Sequence, residues 1–180
     1  MKRQLMAAAV VLAANGAWAT GSSASTFEGK CELSGPAQFE KPFGFVPAPN
    51  HYRFTTQEGS CTGTLNGRSG TYDAAASVGG PDVIGCSLAE GTNAPGTVTF
   101  FVPRRHRKPR KVVLQVNMDY VASGPLVGIR VNGAWAGTMV GEAQFITHGD
   151  PTIAQQCAAG TAHSDWFDAI VQTTPGGISG

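Results

Sequence analysis

Strict alternation of apolar and polar residues is the feature that most constrains this chain. Over residues 112–120, Val112, Leu114, Val116, Met118 and Tyr120 share one face, and mostly polar residues occupy the other. A period of two places successive side chains on opposite faces of a β-strand. Similar alternation marks residues 27–34, 98–102, 127–131 and 139–145. About nine strands at short spacing are expected, so the sequence predicts an all-β fold, an antiparallel β-sandwich or barrel.

Glycine and proline punctuate these runs. With 24 Gly and 11 Pro among 180 residues, the chain is too interrupted for a helical bundle or a coiled coil. Asn66-Gly67 and Asn132-Gly133 are typical of type I′ hairpin turns, which need positive φ angles. Residues 35–54 contain four prolines and five aromatic residues, and they predict a long loop. Its aromatic side chains either cap one end of the core or form a ligand platform.

The first 19 residues have the pattern of a secretory signal peptide. Lys2 and Arg3 precede an apolar run of about ten residues, and Ala17-Trp18-Ala19 provides the small-x-small cleavage pattern. The apolar run is half of the roughly 20 residues that a bilayer span needs. The sequence therefore predicts a leader at 1–19, a single secreted β domain at 20–180, and no transmembrane segment.

Four cysteines follow the leader, namely Cys31, Cys61, Cys86 and Cys157. An even number in an exported chain predicts two disulfides. A zinc site is the alternative, but their spacing offers no paired C-x-x-C ligands. Three connectivities are possible. We favour Cys61–Cys86 with Cys31–Cys157, because glycines near Cys61 and Cys86 would let two strands approach closely.

One short helix is predicted near residues 151–159. Asp150 suits the N-cap, Pro151 suits the first helical position, and Gly160 suits the residue after the last turn. Ile153 and Cys157 lie four residues apart and so share one helix face. Because so short a helix is unstable alone, packing of Ile153 and a disulfide at Cys157 must hold it.

The segment RRHRKPRK is the strongest local anomaly. It holds six of the 11 Arg and Lys residues that follow the leader. The same part of the chain has 12 Asp and Glu residues, so the net charge of the domain is 11 − 12 = −1. The segment lies between two strongly alternating strands and predicts an exposed hairpin tip that attracts polyanions. A solvated tip that keeps a sheet edge soluble is the alternative. The six residues are Arg104, Arg105, Arg107, Lys108, Arg110 and Lys111.

Other candidate chemistry is weaker. His148-Gly149-Asp150 and His163-Ser164-Asp165 would flank the predicted helix, but their spacing fits no compact metal motif.

G-x-S-x-G and phosphate-binding glycine loops are absent from the sequence. Carboxylates for glycoside hydrolysis can come from distant strands, and the candidates are Asp119, Glu142, Asp165 and Asp168. The alternation itself places Asp119 and Glu142 on the outer face. We expect no catalytic residue, no metal site and no cofactor.

The order of several motifs resembles that of small secreted, four-cysteine, β-rich bacterial proteins of actinobacterial type. These motifs are CELSG, FEKPF, GSCTG, GCSLAEG, AGTMVGEAQF, DPTIAQQC and TTPGGISG, and the resemblance covers roughly residues 27–180. They are positions of Cys, Gly and Pro, so the resemblance implies a shared scaffold and no activity or site. The basic segment lies outside the shared pattern.

The sequence therefore favours a secreted non-enzymatic binding or cell-surface module. Its basic hairpin tip would recognise an anionic cell-wall polymer or a membrane surface, and no specific nucleic-acid motif accompanies it. A secreted hydrolase with a carboxylate or His/Asp site is one alternative. A purely structural envelope protein is the other.

Overall fold

The computed structural model describes residues 24–124, 126–146 and 153–180. The predicted leader at 1–19 lies outside these residues and stays a prediction. The described chain forms one antiparallel sheet and a single helix. The strands are β1 (Thr26–Phe43), β2 (Ala48–Thr55), β3 (Glu58–Leu65), β4 (Arg68–Ile84), β5 (Leu88–Arg104), β6 (Arg107–Ser123), β7 (Leu126–Gly133), β8 (Ala136–Ile146) and β9 (Ala162–Ser179), and the helix is α1 (Ile153–Ala159).

The sheet closes on itself, so of the two predicted architectures the barrel is the one that forms. Its strand order is β2-β1-β3-β4-β5-β6-β7-β8-β9, and β1 also pairs with β9. β2 and β3 occupy one position between β1 and β4, since each pairs with both of those strands. The barrel is therefore eight strands around, which is small enough for side chains to fill its interior.

The predicted alternation is confirmed along β6, where all five inward residues are at most 7% exposed. Val127, Ile129 and Val131 of β7 are buried in the same way. Large and small side chains alternate inside, with Phe27 and Phe100 in contact at a ring-centroid distance of 4.9 Å. Small barrels commonly fill their tapering interior by combining large and small side chains.

The prediction of a loop at 35–54 is wrong, because most of this segment belongs to β1 and β2. Phe39, Phe43, Tyr52 and Phe54 are buried core residues. The prolines led to the prediction of a loop, but strands tolerate proline at positions where pairing is interrupted. Pro36, for example, lies between the part of β1 that pairs with β3 and the part that pairs with β2.

One predicted hairpin turn is confirmed and the other is displaced. Asn66 and Gly67 have φ angles of 48° and 77°, as a type I′ turn between β3 and β4 requires. Asn132 and Gly133, by contrast, are still part of β7. The turn to β8 is formed by Ala134 and Trp135, two residues later than predicted.

The number of disulfides was predicted correctly, but the favoured pairing Cys61–Cys86 with Cys31–Cys157 is wrong. The bonds are Cys31–Cys61 and Cys86–Cys157. Cys31 and Cys61 lie directly opposite each other on β1 and β3, with Cα atoms 4.0 Å apart. Gly29 and Gly63 face each other two residues away, where a Cβ on either would overlap the opposite backbone. The glycines therefore do mark a close approach, but between β1 and β3.

The predicted helix is present as α1, tied to the turn after β4 by Cys86–Cys157. Its C-terminus is as predicted: Gly160 has φ 65° and its N–H donates to the Cys157 carbonyl at 3.1 Å. Asp150 and Pro151 lie outside the described residues. No helix in the described part of the chain has the length and apolar character that a bilayer span requires.

We predict that non-reducing peptide mapping will recover Cys31 linked to Cys61 and Cys86 linked to Cys157. Replacing either pair with serines should lower the free energy of unfolding by about 2–4 kcal/mol, because the unfolded chain regains the freedom of a closed loop. Denaturant unfolding measures the loss. Only the Cys86→Ser/Cys157→Ser variant should also expose the α1 amides to hydrogen exchange. Equal exchange in both variants would contradict the role assigned to that disulfide.

Candidate functional site

The basic segment forms the tip of the hairpin between β5 and β6, as the sequence predicts. Arg105 and His106 make the two-residue turn, and Arg104 pairs across it with Arg107. His106 has a φ of 58°, a left-handed conformation that histidine adopts more readily than most residues. The structure thus brings all six predicted cations onto one two-stranded ribbon, which we call the basic hairpin (residues 104–111).

The basic hairpin is exposed and its charges are uncompensated. Every residue from 103 to 111 is exposed to solvent. The contacts between basic and acidic side chains within the described chain are Lys30–Glu32 and His51–Glu40, and neither involves the hairpin. Arg104 and Arg107 lie directly opposite each other, and such like-charge pairs are unfavourable. The ammonium of Lys111 lies 5.7 Å from the ring centroid of Phe101, which gives it a cation–π contact.

The basic hairpin extends beyond its neighbouring strands. Pairing between β4 and β5 stops at Asp73 and Phe101, and pairing between β6 and β7 stops at Val116 and Gly133. Residues 107–114 of β6 therefore pair only with β5 in the described structure. At about 3.4 Å per residue, this leaves an unpaired edge of roughly 27 Å. The charged residues on this edge face solvent, whereas Val112 and Leu114 point into the barrel.

Of the four side chains in the two predicted His-x-Asp elements, the structure describes that of His163. His148 and Asp150 lie outside the described residues, as does the Asp165 side chain. His163 is exposed, and its Nδ1 lies 3.2 Å from the Thr161 carbonyl oxygen. Among the described residues, no group of three or more His, Cys, Asp or Glu is placed to hold a metal ion.

The remaining predicted carboxylates lie on the outer surface. Asp119 accepts hydrogen bonds from the Asn93 N–H at 2.7 Å and from the Asn132 amide at 3.1 Å, so its oxygens already have partners. Glu142 and Asp168 line an open groove across β3, β1, β9 and β8, which has a volume of about 990 Å³. The structure therefore brings these two carboxylates to one surface and leaves Asp119 elsewhere.

Sequence reasoning missed a polar cluster inside the barrel, made of Tyr52, Asp82 and Tyr120. Asp82 is only 6% exposed, and its Oδ2 accepts a 2.7 Å hydrogen bond from the Tyr120 hydroxyl. The rings of Tyr52 and Tyr120 meet edge to face at 5.1 Å. Within the described structure, the Tyr52 hydroxyl and Asp82 Oδ1 lack hydrogen-bond partners. The sequence does carry a signal for this residue. The inward residues Tyr72, Ala74, Ala76 and Val78 of β4 all have even numbers, and Asp82 follows the same spacing beyond two glycines.

Burial controls the ionisation of this cluster. It raises the pKa of Asp82 above the usual aspartate value, although the Tyr120 hydrogen bond partly opposes the rise. Burial also raises the pKa of both Tyr52 and Tyr120, and the nearby Asp82 carboxylate raises each further. The two phenols therefore remain protonated and available as donors. The enclosed space beside them is about 20 Å³, room for about one water molecule and too small for a substrate.

We predict that Asp82→Asn will remove a pH-dependent part of the stability. A carboxyl whose pKa is raised by folding stabilises the native state fully below its unfolded pKa, and this stabilisation is lost as the pH rises through its folded pKa. The variant should therefore be more stable than wild type at pH 7, and the difference should shrink towards pH 4. Denaturant unfolding from pH 3.5 to 8 measures this.

The matched control for this prediction is Asp73→Asn, on the exposed face of the same strand. It should follow the wild-type profile of stability against pH. If Asp82→Asn and wild type lose stability in parallel from pH 4 to 7, the assignment to Asp82 is wrong.

Comparison with known proteins adds no functional assignment to this geometry. No protein-family model, no curated protein and no solved structure matches this chain. On the described surface, the basic hairpin is the segment with the highest density of charge, with six cations in eight residues.

Proposed function

We propose that this protein is a secreted, non-enzymatic binding module that recognises an anionic cell-wall polymer through the basic hairpin. The observation that carries the proposal is a ribbon of six exposed cations with no carboxylate of the described chain in ion-pair contact. The residues proposed to bind the polymer are Arg104, Arg105, Arg107, Lys108, Arg110 and Lys111.

Export of the chain supports an extracellular ligand. The leader pattern at 1–19 predicts secretion. Two disulfides are compatible with an extracellular protein, because disulfides persist in oxidising compartments. Polymers that carry many phosphates or carboxylates are ligands available outside a bacterial cell, and their charge is complementary to the hairpin.

The energetics of the hairpin favour a bound polyanion. Arg104 opposite Arg107 raises the free energy of the unbound hairpin, and an anion between them would relieve that repulsion. Protection of a sheet edge requires only a lysine or a proline. Lys108 and Pro109 already provide both, so edge protection alone does not account for six cations.

The shape of the hairpin favours a linear ligand. The cations lie along a ribbon of two strands, which are about 4.8 Å apart, and not on a broad flat face. A phosphate-bearing chain can follow such a ribbon and place successive charges along it. Arginine, which supplies four of the six cations, binds phosphate through two parallel hydrogen bonds.

We predict that Arg107→Gln/Lys108→Gln/Arg110→Gln will weaken binding to a polyanion and reduce its salt dependence, because three of the six proposed contacts are removed. Wild type should be retained on phosphocellulose and on purified phosphate-bearing wall polymer at low salt and released as salt rises. The slope of log affinity against log salt should fall by about one for each contact removed. Retention across a salt series on each matrix, and on anionic liposomes, measures the effect.

Lys41→Gln/Arg53→Gln/Arg130→Gln is the matched control, since it removes the same charge from exposed positions elsewhere. It should bind as wild type does. Salt-independent retention, or equal losses in both variants, would reject the hairpin as the binding element. Binding to liposomes but not to wall polymer would replace the proposed ligand with a membrane surface.

A further inference from the structure

The groove on the outer face of β3, β1, β9 and β8 is a second unusual surface, on the side of the barrel opposite the basic hairpin. Its centre is Ile170, which is 51% exposed and lies directly opposite Glu32 of β1 and Glu142 of β8. Val140, 44% exposed, extends this apolar floor. An exposed apolar floor between carboxylates is a surface that suits a cationic protein partner with long side chains.

The register of four strands builds the acidic rim of the groove. Ser34 of β1 is opposite Glu58 of β3 and also opposite Asp168 of β9, so these carboxylates lie one row along from Glu32 and Glu142. Asp168 is held in place because Ser34 and the Trp166 indole both donate hydrogen bonds to its Oδ1. Lys30 neutralises Glu32 at 2.8 Å. Glu58, Glu142 and Asp168 form no ion pair within the described structure.

We propose that this groove binds the basic hairpin of a second copy of the chain. The chain itself presents the complementary element, an exposed ribbon of six cations without acidic partners. The methylene stems of arginine and lysine can pack on Ile170 and Val140 while their charged ends reach the rim. The interaction goes beyond the proposed function, because it assigns a role to the opposite face of the barrel.

A hairpin cannot occupy the groove of its own chain. In the closed strand order, the junction of β5 and β6 lies half-way around the barrel from the junction of β1 and β9. Each copy therefore offers one hairpin and one groove to two different neighbours. Such a head-to-tail contact is heterologous, and it produces rings or open chains of copies instead of a closed two-fold dimer.

A mixing experiment with two variants tests this arrangement. Arg107→Gln/Lys108→Gln/Arg110→Gln damages the hairpin and leaves the groove, whereas Glu58→Gln/Glu142→Gln damages the groove and leaves the hairpin. In sedimentation velocity at low salt, wild type should form a concentration-dependent series of oligomers. Each variant alone should be monomeric, and their mixture should form a one-to-one dimer, because only one intact hairpin and one intact groove remain.

Controls separate this proposal from polymer binding. Glu28→Gln/Glu90→Gln removes two exposed acids outside the groove and should assemble as wild type does. Raising the salt from about 20 mM to 500 mM should weaken assembly by about tenfold or more, since the contact is between exposed charges. The groove variant should bind wall polymer at least as tightly as wild type, because no second copy competes for its hairpin.

Three results would overturn the proposal. These are a monomeric wild type at every concentration in low salt, assembly of the groove variant equal to that of wild type, and a mixture that stays monomeric. None of them bears on the salt-dependent retention that tests polymer binding, so the two proposals can fail separately.

Discussion

Closure of the sheet through the pairing of β1 with β9 is the constraint on which the rest of the structure depends. An open sheet of this length would leave two long edges and only one face to bury. Once β1 and β9 pair, buried residues from all nine strands contribute to a common interior. The same pairing places outward residues of β8, β9, β1 and β3 side by side, which builds the acidic groove.

Closure of the barrel also explains why the basic hairpin projects beyond the neighbouring strands. The barrel fixes the length over which neighbouring strands can pair, and β5 and β6 are longer than that length at one end. The excess residues have no neighbouring strand in the barrel wall to pair with, so they project as a two-stranded ribbon with one unpaired edge. Charge makes that edge soluble, and it is also the property on which the proposed binding role of the hairpin rests. Local strand length and global closure together therefore create the candidate site.

The two disulfides act at different levels of this architecture. Cys31–Cys61 joins neighbouring strands of the wall, where Gly29 and Gly63 let the backbones approach. Cys86–Cys157 fastens α1 to the turn between β4 and β5, at the end opposite the basic hairpin. The interior near that end contains Asp82, held by Tyr120, whose ring lies where a side chain on Gly91 would otherwise be. Asp82 and Tyr120 therefore lie towards the end of the barrel opposite the basic hairpin.

The sequence by itself determined the strand alternation, the number of disulfides, the end of the helix at Gly160 and the exposure of the basic hairpin, because each follows from local periodicity or local backbone chemistry. Tertiary structure decided the disulfide pairing, the strands at 35–54, the burial of Asp82 and the groove around Ile170. Each of these depends on which strands become neighbours when the sheet closes. A one-dimensional pattern states which face a residue occupies but not what lies across from it, since strand neighbours and register are set by packing of the whole barrel.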